Sequence, residues 1–518
     1  MAFELARRWA APLADRSYWL ALGLGALSVL AWAPFYWAPL LWLTLGIFYC
    51  LAKAAPSQRR AAVLGLIFGM GLFLGGVSWV YVSLSVFGGL PPALAAVSTF
   101  LYCLLLAAFP ALAMAVFARW RSGSGWANVL LFAAVWATAD WLRGWVFTGF
   151  PWLALGYTQT PGGWLAAPLG GYAPLLGVYG VSALVALLGA SVGELIARRR
   201  PGKPPKVAFD RFFCKSTLIA LTALLLSGGV MLSRVSWTEP TGAPIQVALL
   251  QGNIDQDMKW SPSRFEDSLQ AYHELMLRHP AQLTILPETA LPTFYDQLPR
   301  GYLRALTQLA RRQNGDVVIG SVDGDNKRYT NSVISLGVAP EQRYDKAHLV
   351  PFGEYPPPGF AWFMRLLSIP MSGFAPGGPV QAPFALSGQL VAFNICYEDV
   401  FGEEIAASLP AATILANVSN TAWFGRSLAQ PQHLQIAQMR ALETGRPMLR
   451  ATNTGMTAFI RPDGTVQSVL APFTRGALVA EVQGMSGLTP FARWKNFAAL
   501  LLIVLFSLPA LVACRKSR

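Results

Sequence analysis

The sequence predicts an integral membrane α-helical bundle that carries one exported α/β domain, and three observations lead there. Hydrophobic residues make up 54% of the 518-residue chain and charged residues only 13%, about half the charged share of an ordinary soluble protein. Apolar stretches long enough to cross a bilayer recur up to residue 235 and once more from Phe497 to Cys514. Between the last two of the stretches lies a piece of different texture, Ser236 to Leu488, built of short β-rich runs separated by helical patterns.

Seven apolar runs precede that piece: Tyr18 to Phe35, Trp37 to Leu51, Ala61 to Phe87, Pro92 to Phe117, Trp126 to Trp145, Ala173 to Ala197 and Ser216 to Leu232. An eighth, Phe497 to Cys514, follows it. The expectation is eight transmembrane helices, with residues 1–235 as an N-terminal membrane domain, 236–488 as the exported domain and 489–518 as a last span and tail. The first run, bracketed by Arg16 and Pro34 and followed at once by another span, reads as a retained helix that also serves as targeting signal, ahead of a cleaved signal peptide.

The net charge of +14 is unevenly placed. The exported piece holds 18 Lys+Arg against 21 Asp+Glu, net −3, and the remainder holds 22 against 5, net +17. The excess basic residues sit in short clusters at alternate ends of the apolar runs, the largest being Arg198 to Lys215. That is the charge pattern of membrane topology and not of a nucleic-acid surface. It puts both termini in the cytoplasm and, with seven spans before it, the middle piece on the periplasmic side of a bacterial inner membrane.

Within the membrane part, Gly149 to Tyr157 is aromatic and rich in turn formers, as suits an interfacial or re-entrant loop. Asp140 and Arg143, three apart on one helix face, read as an internal ion pair in preference to a substrate contact.

In the exported domain the runs Ile245 to Leu250, Leu283 to Leu286, Val317 to Ile319, Leu390 to Ile395 and Thr413 to Ala416 read as strands buried on both faces. Helical patterns at Ser263 to Arg278, Arg300 to Gln313 and Gln432 to Thr444 would cover them. Chemistry collects where such strands end. Glu288 directly follows a buried run, where desolvation can make a carboxylate a general base, although a cap or ion pair is the commoner role. Lys346, among apolar and aromatic neighbours, can set a positive charge on a developing oxyanion; alone, a lysine is more often a solvated surface group. Glu354 could orient that lysine or close its loop.

Cys396 carries the most information. Cys50, Cys103 and Cys514 fall in apolar runs and Cys214 in the basic segment, so Cys396 is the sole cysteine of the exported domain. It has no disulfide partner there, and an unpaired thiol in an oxidising compartment is either used or buried. Of the four histidines, His273 and His279 lie on or just after a helix far from a strand end, whereas His348 and His433 leave a Cys/His hydrolase open. A metal site is not expected, because the histidines lack ligand spacing and no second cysteine assists.

Pro287-Glu288, Tyr344-Asp-Lys346 and Cys396-Tyr-Glu398, in that order, resemble the Glu-Lys-Cys triad of the nitrilase superfamily. The flanks narrow the resemblance: Gln251-Gly-Asn253 with Lys259-Trp260, Leu349 to Tyr355, Asn417 to Gly425, Gln432-His433, Arg440 to Pro447 and Thr148 to Trp152 are similar to the apolipoprotein N-acyltransferase family. It covers essentially the whole chain; Ala347 and the prolines 356–358 depart from it mildly. The resemblance implies an α-β-β-α sandwich in the exported domain. It implies an acyltransferase that moves a fatty acyl chain from a phospholipid, typically phosphatidylethanolamine, through a Cys thioester to the N-terminal amine of a diacylated apolipoprotein. It needs no cofactor, and the protein is expected to be a monomer. It also implies Glu288, Lys346 and Cys396 as catalytic, Glu354, Tyr397 and Glu398 as supporting, and Trp260 and Trp423 as lining access for substrate, against a plain interfacial packing role for the two tryptophans. A membrane-tethered amidase or thioesterase, and a transporter or receptor with a non-catalytic domain, are the rival classes.

Overall fold

A computed structural model describes residues 15–162, 167–197, 215–254, 262–325, 327–356, 359 and 373–515. Trp260, Lys259, Cys214 and the segment from Pro201 to Arg211 lie outside them. The chain divides into two compact units, one made of Met1–Ser78, Ala96–Val235 and Asn496–Arg518, the other of Trp79–Ala95 and Ser236–Lys495.

The first unit is helical. Gln58–Val77, Pro92–Trp120 and Pro168–Ala197 are long and apolar enough to cross a membrane, and Arg16–Ala31, Ala38–Ala54, Ser216–Leu232 and Phe497–Ala513 are shorter apolar helices. The fifth run forms the helix Gly125–Arg143. Eight spans are therefore not established by helix length. Two helices approach through small residues: a Cβ on Gly25 would meet the Phe68 carbonyl at 2.0 Å, and one on Gly71 the Leu22 carbonyl at 2.1 Å. Such contacts let backbones touch where apolar surroundings offer no hydrophobic drive.

The Asp140–Arg143 pair is buried at 3.0 Å, and it pins a loop more than it joins helices. The Arg143 guanidinium donates to the carbonyls of Phe150 and Trp152, while Asp140 accepts from the Leu155 N–H at 3.0 Å. Three backbone polar groups of the irregular stretch are thus met by one buried ion pair, as a loop in apolar surroundings requires. A second pair closes Lys53 on Glu194 at 2.6 Å, with the Tyr49 hydroxyl donating to the same carboxylate.

The run read as one span from Ala61 to Phe87 ends as a long helix at Val77. From Trp79 the chain belongs to the second unit as a single turn, Val80–Val82, and a π-turn, Ser83–Phe87. Hydropathy could not foresee this, because the segment is as apolar as the helix before it.

The second unit is a four-layer sandwich. One six-stranded sheet runs in the order β13 (Gly476–Val482), β2 (Ile245–Gln251), β3 (Leu283–Ile285), β4 (Asp316–Gly324), β5 (Tyr329–Gly337), β6 (Gln342–Asp345); β2, β3 and β4 are parallel. The other runs β12 (Val466–Val469), β11 (Ala458–Ile460), β10 (Met448–Thr452), β9 (Ile414–Ser419), β8 (Gln389–Ile395), β7 (Phe384–Leu386), with β8, β9 and β10 parallel. A two-stranded ladder joins β1 (Glu239–Pro240) to β14 (Met485–Ser486).

Alternate residues of each central strand face opposite layers. Val247, Ile285, Val333, Val391, Val418 and Leu449 meet between the sheets. Ala248, Leu250, Val317 and Ile319 turn outward onto the helices Pro262–Arg278 and Arg300–Arg312. Ala392, Leu415 and Met448 turn outward onto the helix Ala429–Thr444. The α-β-β-α order that the family resemblance implies is the order found.

Candidate active site

Glu288 follows β3, Lys346 follows β6 and Cys396 follows β8, so three strand ends deliver the three groups to one place. The Lys346 ammonium is 1% exposed and lies 2.7 Å from Glu354 Oε1 and 3.6 Å from Glu288 Oε1. Burial works against its charge, but the two carboxylates and the nearby Cys396 outweigh burial and hold its pKa above the ordinary lysine value. Lys346 is thus a fixed cation.

Glu288 is buried and aimed by donors at both oxygens. Asn331 Nδ2 donates to Oε1 at 2.7 Å and the Asn420 N–H donates to Oε2 at 2.6 Å. Glu354 is held by Lys346, by Asn331 Nδ2 at 3.2 Å and by the Val350 N–H at 2.8 Å. Asn331 sits within β5, and its own carbonyl accepts from the Lys346 N–H at 2.8 Å. Sequence reasoning missed Asn331 and the Asn420 N–H, the first because a polar residue in a strand carries no motif, the second because a backbone donor leaves no trace in residue type.

Cys396 stands at the turn from β8 into the 3-10 segment Cys396–Val400, with φ of +55°. That left-handed conformation costs a non-glycine residue about 1–2 kcal/mol, and at a tight strand-to-helix turn it holds the side chain clear of the strand. Burial pushes the thiol pKa up to about 12; Glu288 and Glu354 add to the rise, whereas Lys346 opposes it. The resting group is therefore a neutral thiol whose proton must be taken as it reacts.

Glu398 lies two residues on and is 3% exposed. Its carboxylate accepts from the N–H groups of Ala347 (2.7 Å), His348 (3.0 Å) and Ile395 (2.6 Å) and from the Tyr344 hydroxyl (2.9 Å). One side chain thereby ties the loop after Lys346 to the turn that holds Cys396. Burial raises its pKa, against the opposing pull of those donors and of Lys346. Tyr397 packs with Phe401 and His348. His348 engages Glu404 at 2.9 Å and His433 engages Asp399 at 2.7 Å, so each imidazole meets a carboxylate of its own. Among the described residues no cluster of His, Cys, Asp or Glu could hold a metal ion.

Trp423 is half-buried on the segment Thr421–Phe424, immediately after Asn420. Its carbonyl accepts from the Ser83 hydroxyl at 2.8 Å and its ring meets Phe87 edge-on at 5.8 Å, while Trp79 meets Phe424 at 4.6 Å. Trp260 lies outside the described residues.

Residues 24–191 match the family described as apolipoprotein N-acyltransferase N-terminal domain, and residues 246–491 match carbon-nitrogen hydrolase. An apolipoprotein N-acyltransferase of Nitrosomonas europaea is 45% identical over 504 residues, covering 96% of this chain and 97% of the relative. Another, of Ralstonia nicotianae, is 46% identical over 530 residues, covering 100% of this chain and 96% of the relative. Among solved structures, a CN-hydrolase superfamily protein from Xanthomonas campestris is 17% identical with a TM-score of 0.36, covering 50% of this chain and 97% of that one.

Proposed function

The chain belongs to the apolipoprotein N-acyltransferase family, and from that premise we propose that Cys396, Glu288 and Lys346 carry its acyl transfer in two steps through a thioester. The protein is an acyltransferase of lipoprotein maturation; with relatives of that name matching along nearly the whole chain, the amidase, thioesterase and transporter readings fall away. The donor is the sn-1 ester of a phospholipid, phosphatidylethanolamine first among them. The acceptor is the α-amine of diacylglyceryl-cysteine at the start of an apolipoprotein.

In the first step Glu288 takes the thiol proton as Cys396 Sγ attacks the ester carbonyl. The carbonyl electrons move onto oxygen, where Lys346 and the Tyr397 N–H face them. Collapse breaks the C–O bond, and the departing lysophospholipid oxygen takes the proton from Glu288. In the second step the lipoprotein amine attacks the thioester, Glu288 accepts the amine proton, and as the amide forms the departing sulfur takes that proton from Glu288, restoring the thiol and the carboxylate. Glu354 keeps Lys346 charged, and Tyr397 and Glu398 fix the surroundings of the nucleophile. The observation that carries this reading is the placement of a buried lysine between two carboxylates, beside a thiol that is neutral at rest.

All eight apolar runs span the bacterial inner membrane in this reading, with the catalytic domain periplasmic and the protein acting as a monomer; the charge asymmetry along the sequence supports the orientation. Trp423 and Trp260 line substrate access. The decisive experiment is a mass spectrum of the full-length protein after incubation with phosphatidylethanolamine. One fatty acyl chain on the Cys396 peptide, discharged by a diacylated lipopeptide, is expected. An enzyme that transfers acyl chains with Cys396 never modified overturns the proposal.

A further inference from the structure

The central strands of the second sheet carry a polar row where their pattern calls for apolar residues. Phe393, Ile395, Ala416, Val418, Leu449 and Ala451 face the core between the sheets, so by alternation Asn394, Asn417 and Arg450 face the helix layer. The three stand directly abreast on β8, β9 and β10. All are buried, as are Asp399 from the turn after Cys396 and His433 from the covering helix.

These groups form one connected network. Asp399 accepts from Arg450 at 2.8 Å and meets His433 Nε2 at 2.7 Å. Arg450 also donates to Asn417 Oδ1 at 3.0 Å. Asn417 Nδ2 in turn donates to Asn394 Oδ1 at 2.6 Å and to the backbone carbonyl of Cys396 at 3.0 Å. His433 joins the network through Asp399.

The Cys396 carbonyl and the Tyr397 N–H belong to a single peptide group. A hydrogen bond to the oxygen of a peptide draws electrons toward it and strengthens the N–H as a donor, the more so away from water. We propose that Asn417, Arg450, Asp399 and His433 form a buried brace that orients and polarises the Cys396–Tyr397 peptide as the oxyanion donor of acyl transfer. The brace rests on the reading of Cys396 as nucleophile. Its members are positioning residues: they act on the peptide and not on the sulfur. The charge held at Arg450 and Asp399 fixes the Asn417 amide with its oxygen toward the cation, which leaves its N–H groups no choice but the two oxygens they meet.

The test separates oxyanion stabilisation from thiol reactivity. Full-length Asn417→Ala and His433→Gln are compared with the parent in the rate of acyl-enzyme formation from phosphatidylethanolamine, the KM for that lipid, and alkylation of Cys396 by iodoacetamide, a displacement that builds no oxyanion. Weakening a donor should cost less than the 10²- to 10³-fold seen on removing one, so acyl-enzyme formation is expected to fall roughly 10- to 100-fold in Asn417→Ala and less in His433→Gln. KM and alkylation should stay within about threefold of the parent. Asn417→Ser, which keeps a donor on the same strand, should recover part of the rate, and it carries the comparison with His433→Gln if the alanine variant does not fold. Unchanged acylation, or alkylation lost in step with acylation, overturns the brace. Cys396→Ala is run beside them: acyl transfer surviving there sinks the nucleophile reading itself, a separate failure.

Discussion

Asn331 Nδ2 donates to Glu288 Oε1 at 2.7 Å from the middle of a strand, and the same nitrogen reaches Glu354 at 3.2 Å. The buried Glu288 and the half-buried Glu354, which flank one ammonium, are thereby held at fixed places. A hydrogen bond to a charged buried group is worth about 1.5–3 kcal/mol. Asn331→Leu should therefore lower kcat by roughly 10- to 100-fold, and Asn331→Asp should do at least as much damage by adding a third carboxylate near Lys346. Steady-state transfer to a lipopeptide acceptor measures it; a drop smaller than twofold in both would show that the carboxylates need no such anchor.

The thiol is the second point of test. With its pKa pushed up to about 12, alkylation of Cys396 in the free protein should keep rising with pH through 7 to 10 and show no plateau. Lys346 lowers that pKa and Glu288 raises it, so the two variants should move the profile in opposite directions. Lys346→Met should shift it to higher pH and Glu288→Gln to lower pH. Both should nonetheless lose acyl-enzyme formation by about 10²-fold or more, one for want of a cation on the oxyanion and the other for want of a base. A plateau below pH 8 in the parent would mean a preformed thiolate, and Glu288 would no longer be needed to make it.

Cys396→Ser should leave no measurable turnover, since a hydroxyl is a far weaker nucleophile than sulfur. The assay is release of lysophospholipid; near-normal release would rule out covalent catalysis by this residue.

The buried Asp140–Arg143 pair predicts a stability effect away from the chemistry. Removing one partner of a buried pair costs about 3–5 kcal/mol, and losing Arg143 also strips a donor from the carbonyls of Phe150 and Trp152. Arg143→Met should lower the thermal midpoint of the detergent-solubilised protein and open residues 149–157 to protease. An unchanged midpoint and digestion pattern would contradict the role given to the pair.

Topology has its own check. A reporter fused after Arg518, or placed between Pro201 and Arg211, should read as cytoplasmic, and one inserted at Gln342 as periplasmic. A cytoplasmic reading at Gln342 would require a different number of spans.

Glu288 and Cys396 were legible in the sequence because each follows a run whose pattern marks a buried strand; Lys346 and Glu354 stood out by their apolar and aromatic surroundings and by the family resemblance. Asn331, Asn417 and Arg450 were not, since they lie inside strands and act through partners brought in from other strands, a pairing that one chain read in order does not display. Sheets covered by helices were legible from runs buried on both faces, and the four-layer sandwich from the family resemblance. The departure of residues 79–87 from the preceding helix was hidden, because hydropathy records that Trp79 and Phe87 are apolar but not that Phe424 and Trp423 are what they pack against.

That packing bears on what the catalytic half is as an object. A fragment cut at Ser236 and Leu488 would keep the three reacting groups and both sheets, yet it would leave behind the turn whose Ser83 hydroxyl and aromatic rings grip the segment after Asn420. The Asn420 N–H donates to one oxygen of Glu288, so the cut also removes packing from the segment that holds this carboxylate. The enzyme is not a detachable cassette on an anchor. Its catalytic half is discontinuous in the gene product, assembled from two stretches of chain more than a hundred residues apart, and grafting it onto another anchor would have to carry both.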